Sequence, residues 1–129
     1  LSSDPDLSVR YEVASNKNTH KDTLHKLSDD PHEWVRQAVA DHNNTHQDTL
    51  HKLSDHTDPF NTWRVRQAVA YNNNTHKDTL HKLSDDHNKY VRLRVASNKN
   101  THQDTLHKLT SDPDEDVRRA AKLMKMYVV

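Results

Sequence analysis

The fold is decided by the stretch Asn18-Thr-His-Lys-Asp-Thr-Leu-His-Lys-Leu-Ser-Asp29, which returns almost unchanged from Asn44, Asn74 and Asn100. Its pattern predicts a short helix that begins at Thr19 as the N-cap, with Asp22 in the place of the capping-box glutamate. A helix this short is marginal alone in water, because nucleation is costly. The copies must therefore stack on one another.

Helical spacing divides this stretch into two sides. We expect the first side to be buried and the second to face solvent. The first side contains His20, Thr23, Leu24 and Leu27, and the second contains Lys21, Asp22, His25 and Lys26.

A second helix signal precedes each copy. An Asp before Pro predicts an N-cap followed by the first helical residue; these pairs are Asp4-Pro5, Asp30-Pro31, Asp58-Pro59 and Asp112-Pro113, with Asp86-His87 in the remaining unit. Val9, Val13, Ala14 and their equivalents are predicted to be buried. Because the chain has no Gly, Asn is the candidate for a left-handed closing residue, at Asn16, Asn72 and Asn98, with His42 in the second unit.

The two signals together define a tandem repeat. The Val-Arg pair recurs with spacings of 26, 30, 26 and 26 residues, so one unit carries a four-residue insertion, within residues 56–63. We interpret the chain as a single tandem-repeat domain with units 4–29, 30–55, 56–85 and 86–111, and a half-unit or C-terminal cap at 112–129. The predicted class is all-α, an α-solenoid of about four and a half two-helix repeats.

The two ends of the chain differ from the middle. Leu1-Ser-Ser-Asp-Pro5 matches Leu109-Thr-Ser-Asp-Pro113, so we expect the chain to be a fragment of a longer array. Near the other end, helical spacing indicates either a longer helix that covers the last core or a truncated array with a frayed apolar tail. The residues at this spacing are Val117, Ala120, Ala121, Met124, Tyr127 and Val128.

Composition excludes several classes of protein. Lys plus Arg and Asp plus Glu number 19 each, so the bulk positive charge of a nucleic-acid binder is missing. With no Cys there is no disulfide framework, thiolate zinc site or iron–sulfur ligation. The sequence shows no membrane-length apolar run and no signal-peptide pattern, which leaves the compartment open.

The repeated pattern Asp-Pro-x-x-x-Val-Arg-x-x-Val-Ala-x-Asn-x-Asn-Thr, followed by Leu-x-x-Leu, resembles the leucine-rich repeat variant family, which is related in style to HEAT repeats. The resemblance covers nearly the whole chain. It implies a right-handed solenoid of short helices, in which one of the two per repeat may be a 3₁₀-helix, and a scaffold not tied to one activity. This chain departs from the family by its insertion and by placing His20, His46, His76 and His102 where the family usually has Pro.

Twelve histidines are the most conspicuous feature of the composition. A metal ion needs imidazole nitrogens that converge at about 2.0–2.1 Å, whereas equivalent residues of stacked helices stand roughly 8–10 Å apart. We predict structural or solvated histidines, with pH sensing as the alternative, and no metal or cofactor. Eight of them form two registers: His20, His46, His76 and His102, and His25, His51, His81 and His107.

One arginine recurs in every unit, at Arg10, Arg36, Arg66, Arg92 and Arg118. This row could bind phosphates or acidic peptides. We favour a structural ladder in which each Arg bonds a carboxylate or carbonyl at a repeat boundary. The candidate carboxylates are Asp4, Asp30, Asp58, Asp86 and Asp112.

The positions that vary between units are the better candidates for a binding surface. Aromatic residues cluster around the Val-Arg pairs of the middle units and could form one patch with polar neighbours, as interface anchors do; alternatively they fill gaps between loops. The predicted partner-binding residues are Trp34, Gln37, Phe60, Trp63, Arg64, Gln67 and Tyr90.

No arrangement of residues indicates an enzyme. Nucleophile elbows, phosphate loops and paired catalytic carboxylates are absent from the sequence. The leading hypothesis is a non-enzymatic scaffold that binds a protein or peptide. The alternatives are binding of nucleic acid or an acidic ligand through the arginine row, and a purely structural spacer in a longer repeat protein.

Overall fold

The computed structural model describes residues 1–127. In that range the chain forms nine α-helices and no strands, which confirms the all-α prediction. The short helices of each repeat are α-helical rather than 3₁₀. The helices are α1 Leu7–Ser15, α2 Lys21–Leu27, α3 Glu33–Asp41, α4 Gln47–Leu53, α5 Trp63–Tyr71, α6 Lys77–Leu83, α7 Lys89–Ser97, α8 Gln103–Leu109 and α9 Glu115–Tyr127.

The helices form two rows of a solenoid. Each odd-numbered long helix packs on the next long helix, and each short helix packs on the long helices beside it. The leucines of the short helices and the Val and Ala residues of the long helices meet in one continuous core. Burial of a leucine contributes about 2 kcal/mol, so two per short helix suffice only because the neighbouring repeats cover them.

Burial departs from the predicted pattern near the start of the chain. Val9 and Val13 in α1 are half-buried, whereas their equivalents in α3, α5 and α7 are fully buried. His20 was predicted on the buried side of α2 but is exposed. None of the helices in residues 1–127 combines the length and the apolar character needed to cross a membrane.

The last helix, α9, has 13 residues and packs against α7 and α8. Val117 and Ala121 are buried, and Ala120 and Met124 are half-buried. Tyr127 was predicted on the same side but is 83% exposed, because it lies beyond the last helix that α9 contacts. Val128 lies outside the described residues.

The N-cap of each short helix is a histidine, not the predicted threonine. The Nδ1 atoms of His20, His46, His76 and His102 accept the backbone N–H two residues on, each at 3.1 Å. The preceding threonine instead donates its hydroxyl to a carbonyl at the end of the long helix, as Thr45 does to Val39 at 2.5 Å. This bond satisfies one of the carbonyls that a helix end leaves free.

The aspartates before Pro are not N-caps either. The long helices begin three residues after Asp4, Asp30 and Asp112 and five residues after Asp58. The capping side chains are Asp6, His32 and Asn88 in α1, α3 and α7. Asp30 accepts the N–H of His32 through Oδ1 at 2.9 Å and so closes a turn before the helix. The turn leaves its Oδ2 available to another partner.

The long helices end at the predicted residues but not in the predicted conformation. Asn16, His42, Asn72 and Asn98 are C-caps with extended backbone, and no residue in 1–127 has a positive φ. Asn72 Oδ1 accepts the N–H of Asn74 at 2.8 Å, so a side chain closes the turn that a left-handed residue would otherwise make.

Candidate functional site

The arginine row lies at the repeat boundaries, and its side chains are engaged there. Arg10 donates Nε to Asp30 at 2.7 Å, Arg66 to Asp86 at 2.6 Å and Arg92 to Asp112 at 2.8 Å. The three carboxylates are almost fully buried. Arg118 donates to the carbonyl of Asp112 at 2.7 Å. These guanidinium groups offer few free N–H groups to a phosphate.

Arg36 differs from the other members of the row. It is buried, donates to the carbonyls of Asp30 and Phe60, and leaves its Nε without a partner. Asp58, one of the candidate carboxylates for the row, is exposed and does not pair with it. The four-residue insertion explains the difference, because Phe60 lies three residues before α5, where the other units have the paired aspartate.

The predicted partner-binding residues fall into two separate places. Phe60 lies over Arg36, 5.5 Å from ring centroid to guanidinium carbon, and lines a cavity of about 220 Å³ with Asp58 and Lys52. The other predicted residues lie along the long helices. Phe60 therefore lines a different cavity from Trp34, Gln37, Arg64 and Gln67.

Two neighbouring cavities form a groove along the long helices. The first has a volume of about 620 Å³ between α1 and α3, and the second about 190 Å³ across α3, α5 and α7. They share Gln37 and Asp41. We call this surface the long-helix groove; it is lined by Tyr11, Glu12, Trp34, Gln37, Asp41, Arg64, Gln67, Tyr71 and Arg94.

Trp34 is the largest apolar group in the groove. Its side chain is 61% exposed and meets the ring of His32 edge-on at 5.0 Å. Burial raises the pKa of Asp41 above its ordinary value, although part of its side chain still reaches solvent at the end of α3. The groove thus combines an exposed aromatic ring with a carboxylate that is partly desolvated but also partly open to solvent.

Trp63 and Tyr90 lie beside the groove. Trp63 packs partly against the core and lies 5.8 Å from Tyr90, with the Arg64 guanidinium 4.7 Å from its ring. Lys89 lies 5.3 Å from the ring of Tyr90. Trp63 therefore has a packing role, whereas Trp34 does not.

Comparison with solved structures places this architecture among known repeat folds. One structure matches 95% of this chain with a TM-score of 0.73 and 25% sequence identity; it is described as a leucine-rich repeat variant with a novel repetitive protein structural motif. The chain resembles a leucine-rich repeat variant. The resemblance predicted from the sequence is confirmed, and the chain spans 47% of that structure's length. No family model matches the chain, and a search of characterised proteins found no significant match.

Four groove residues were not singled out from the sequence: Glu12, Asp41, Tyr71 and Arg94. Tyr11 follows a Val-Arg pair and varies between units, but it was not among the predicted binding residues. The predicted residues lie next to a Val-Arg pair or in the insertion. Two further positions of each long helix also differ between repeats, and this variation could have identified the other groove residues. The positions are 12, 38, 68 and 94, and 15, 41, 71 and 97.

The second histidine register joins adjacent short helices of the solenoid. Nδ1 of His25, His51 and His81 lies 2.7–2.8 Å from the hydroxyls of Thr49, Thr79 and Thr105. Within residues 1–127 no group of three or more His, Cys, Asp or Glu side chains is arranged to hold a metal ion.

Proposed function

We propose that this repeat scaffold is non-enzymatic and binds a protein or peptide partner through the long-helix groove. The observation that carries the proposal is Trp34, an aromatic side chain that is 61% exposed in a groove of about 620 Å³ whose lining varies from repeat to repeat. Exposed aromatic anchors in concave surfaces are typical of interface hot spots. Side chains that differ between repeats can distinguish one partner from another, whereas a row of identical side chains cannot.

The alternative of nucleic-acid binding through the arginine row has less support. Arg10, Arg66 and Arg92 are paired with buried aspartates, so phosphates would have to displace existing ion pairs. The dependence of ligand affinity on salt concentration distinguishes nucleic-acid binding from peptide binding. Affinity for nucleic acid falls steeply between about 50 and 200 mM salt, whereas an aromatic peptide interface changes little.

Selection from a random peptide display library on the immobilised protein tests the proposal. Peptides enriched on the wild-type protein should bind the Trp34→Ala variant at least about tenfold more weakly. Phe60→Ala is the matched control, because Phe60 is also 61% exposed but lines a different cavity. Failure to enrich any peptide, or equal binding to Trp34→Ala, would point to a structural spacer instead.

A further inference from the structure

Two arginines of the long-helix groove have no polar partner. Of eight arginines in the chain, the side chains of Arg64 and Arg94 make no hydrogen bond or ion pair within residues 1–127. Both line the cavity of about 190 Å³. The six arginines that do bond protein oxygen atoms are Arg10, Arg36, Arg66, Arg92, Arg118 and Arg119.

These two guanidinium groups are held in place by aromatic rings. Arg64 lies 4.7 Å from the centroid of Trp63, and Arg94 lies 4.9 Å from the centroid of Tyr71. Stacking restricts the side chain without using its N–H donors. These N–H donors therefore remain free for an acceptor from outside the chain. The two oxygens of a carboxylate fit the two parallel N–H groups of a guanidinium.

Two carboxylates of the groove are equally without partners. Glu12 and Asp41 accept no side-chain hydrogen bond and form no ion pair in the part of the chain that the structure describes, and both line the cavity of about 620 Å³. Burial raises the pKa of Asp41, and neither arginine of the second cavity forms an ion pair with it within residues 1–127. A ligand cation would compensate for its partial desolvation.

The unpaired charges are sorted by sign along the groove. The carboxylates belong to α1 and α3, and the guanidinium groups belong to α5 and α7. Glu12 and Arg64 lie on helices two spacings apart, which is about 20 Å, whereas Asp41 lies between them and also lines the cavity of the two arginines. An extended chain covers that distance in about six residues. Gln37 and Gln67 lie at equivalent positions of the two middle helices, where their amides can donate to and accept from a peptide backbone.

We propose that the long-helix groove binds an extended peptide with a basic residue at one end and an acidic residue about six positions away. This inference rests on the proposed function. The basic side chain meets Glu12 and Asp41, and the acidic side chain meets Arg64 and Arg94. An apolar side chain between them contacts Trp34. The order of charges along the peptide therefore sets specificity.

Fluorescence anisotropy with three labelled peptides of about twelve residues tests this inference. All share one composition, with two Lys, two Asp and one Tyr. In two of them the Lys and Asp pairs lie at opposite ends, in either order from the N-terminus, and in the third they alternate. One ordered peptide should bind the wild-type protein at least about tenfold more tightly than the alternating peptide.

Charge-swapped variants identify the groups responsible. Arg64→Glu with Arg94→Glu, or Glu12→Lys with Asp41→Lys, should remove that tenfold preference, and all four changes together should favour the ordered peptide of opposite order. The matched control is Lys21→Glu with Lys77→Glu, which changes the net charge as the arginine pair does but lies on the exposed start of α2 and α6. Thermal melts confirm that each variant is folded.

The outcomes separate this inference from the proposed function. Equal binding of ordered and alternating peptides overturns the charge order, while the proposed function stands if Trp34→Ala still weakens their binding. If none of the three binds but display selection yields peptides sensitive to Trp34→Ala, the charge order is again overturned alone. Tighter binding of a labelled oligothymidylate, abolished by the double arginine variant, overturns both in favour of nucleic acid.

Discussion

Phe60 occupies a place that an aspartate fills in the other repeats. Arg10, Arg66 and Arg92 each meet a buried carboxylate across the repeat boundary, while Arg36 meets the carbonyl and ring of Phe60 and keeps an unpartnered Nε. A buried charge without a counter-ion is costly. The insertion is therefore a weak point of the boundary between the second and third units.

Phe60→Asp should stabilise the protein. The new carboxylate would lie three residues before α5, as Asp86 lies three before α7, and next to the Arg36 guanidinium, where it could accept from Nε. A charge-assisted hydrogen bond of this kind contributes about 1.5–3 kcal/mol, less the lost contact between guanidinium and ring. Chemical denaturation should show a gain of about 1 kcal/mol in the free energy of unfolding.

Asp86→Asn is the matched opposite change. It keeps the size of the side chain but leaves Arg66 without its carboxylate, so we expect a loss of about 3 kcal/mol. A Phe60→Asp variant that is no more stable than wild type would mean that the loop of residues 56–62 cannot present the carboxylate to Arg36.

Sequence predicted the ladder residues but not this exception. The recurrence of Val-Arg is visible in the chain, whereas the pairing of Arg36 depends on the path of the inserted loop, which spacing alone does not specify. Asp58 keeps the Asp-Pro signature and so was among the candidate carboxylates of the row. Its place five residues before α5, instead of three, moves it out of reach.

The long helices are joined at their ends by a row of side-chain amides. Asn72 Nδ2 donates to the carbonyls of Ala40 at 2.7 Å and His42 at 3.0 Å, and Asn98 repeats the pattern on Ala70 and Asn72. His42 substitutes for Asn in this row, because Nε2 reaches the carbonyl of Asn16 while Nδ1 accepts from Asn44. Each bond connects one helix end with the preceding repeat.

Asn72→Ala should therefore weaken the stacking of repeats. The variant leaves two buried carbonyls without their donor and opens the turn after α5, at a cost of about 2–3 kcal/mol. Asn73→Ala is the control, because Asn73 is exposed and its side chain makes no hydrogen bond in residues 1–127; its cost should stay below about 0.5 kcal/mol. Similar midpoints of urea unfolding for the two variants would contradict the prediction.

Helix number and spacing were predictable, whereas helix ends were not. Leucine and valine periodicity determined which helices exist, since burial follows it. The caps were misassigned because a threonine and an aspartate are the usual N-caps, and here both form other bonds: Thr45 with Val39, and Asp30 with Arg10. A histidine then acts as the N-cap of the helix instead. The groove was only partly predictable, because its outline depends on which positions of neighbouring helices meet.

Histidine caps make the stability of the whole solenoid depend on pH. Six rings accept a backbone N–H through Nδ1, and a protonated imidazole cannot accept. A ring that carries two protons therefore loses this bond, and the cap with it, so we expect the solenoid to be less stable in acid. The six are His20, His32, His42, His46, His76 and His102.

Two effects oppose this loss and are smaller. Asp22 lies 3.5 Å from His20 and would pair with the protonated ring, but it is 85% exposed, so solvent screens the pair. Burial raises the pKa of Asp41 from its ordinary value of 3.8, so acid relieves the desolvation of that one carboxylate. The lowered pKa values of Asp55, bonded to Thr57, and Asp114, bonded to the Val117 backbone, affect stability only below about pH 4.

We expect the melting temperature to be lower at pH 5 than at pH 7.5 by about 10 °C, since several caps of about 1 kcal/mol each are weakened together. Replacing His20, His46, His76 and His102 with Ser keeps the caps without an imidazole ring and should remove most of the difference. Replacing His25, His51, His81 and His107 with Gln removes as many imidazole rings, none of which caps a helix. If the Gln variant loses the pH dependence and the Ser variant keeps it, net positive charge rather than capping governs acid stability.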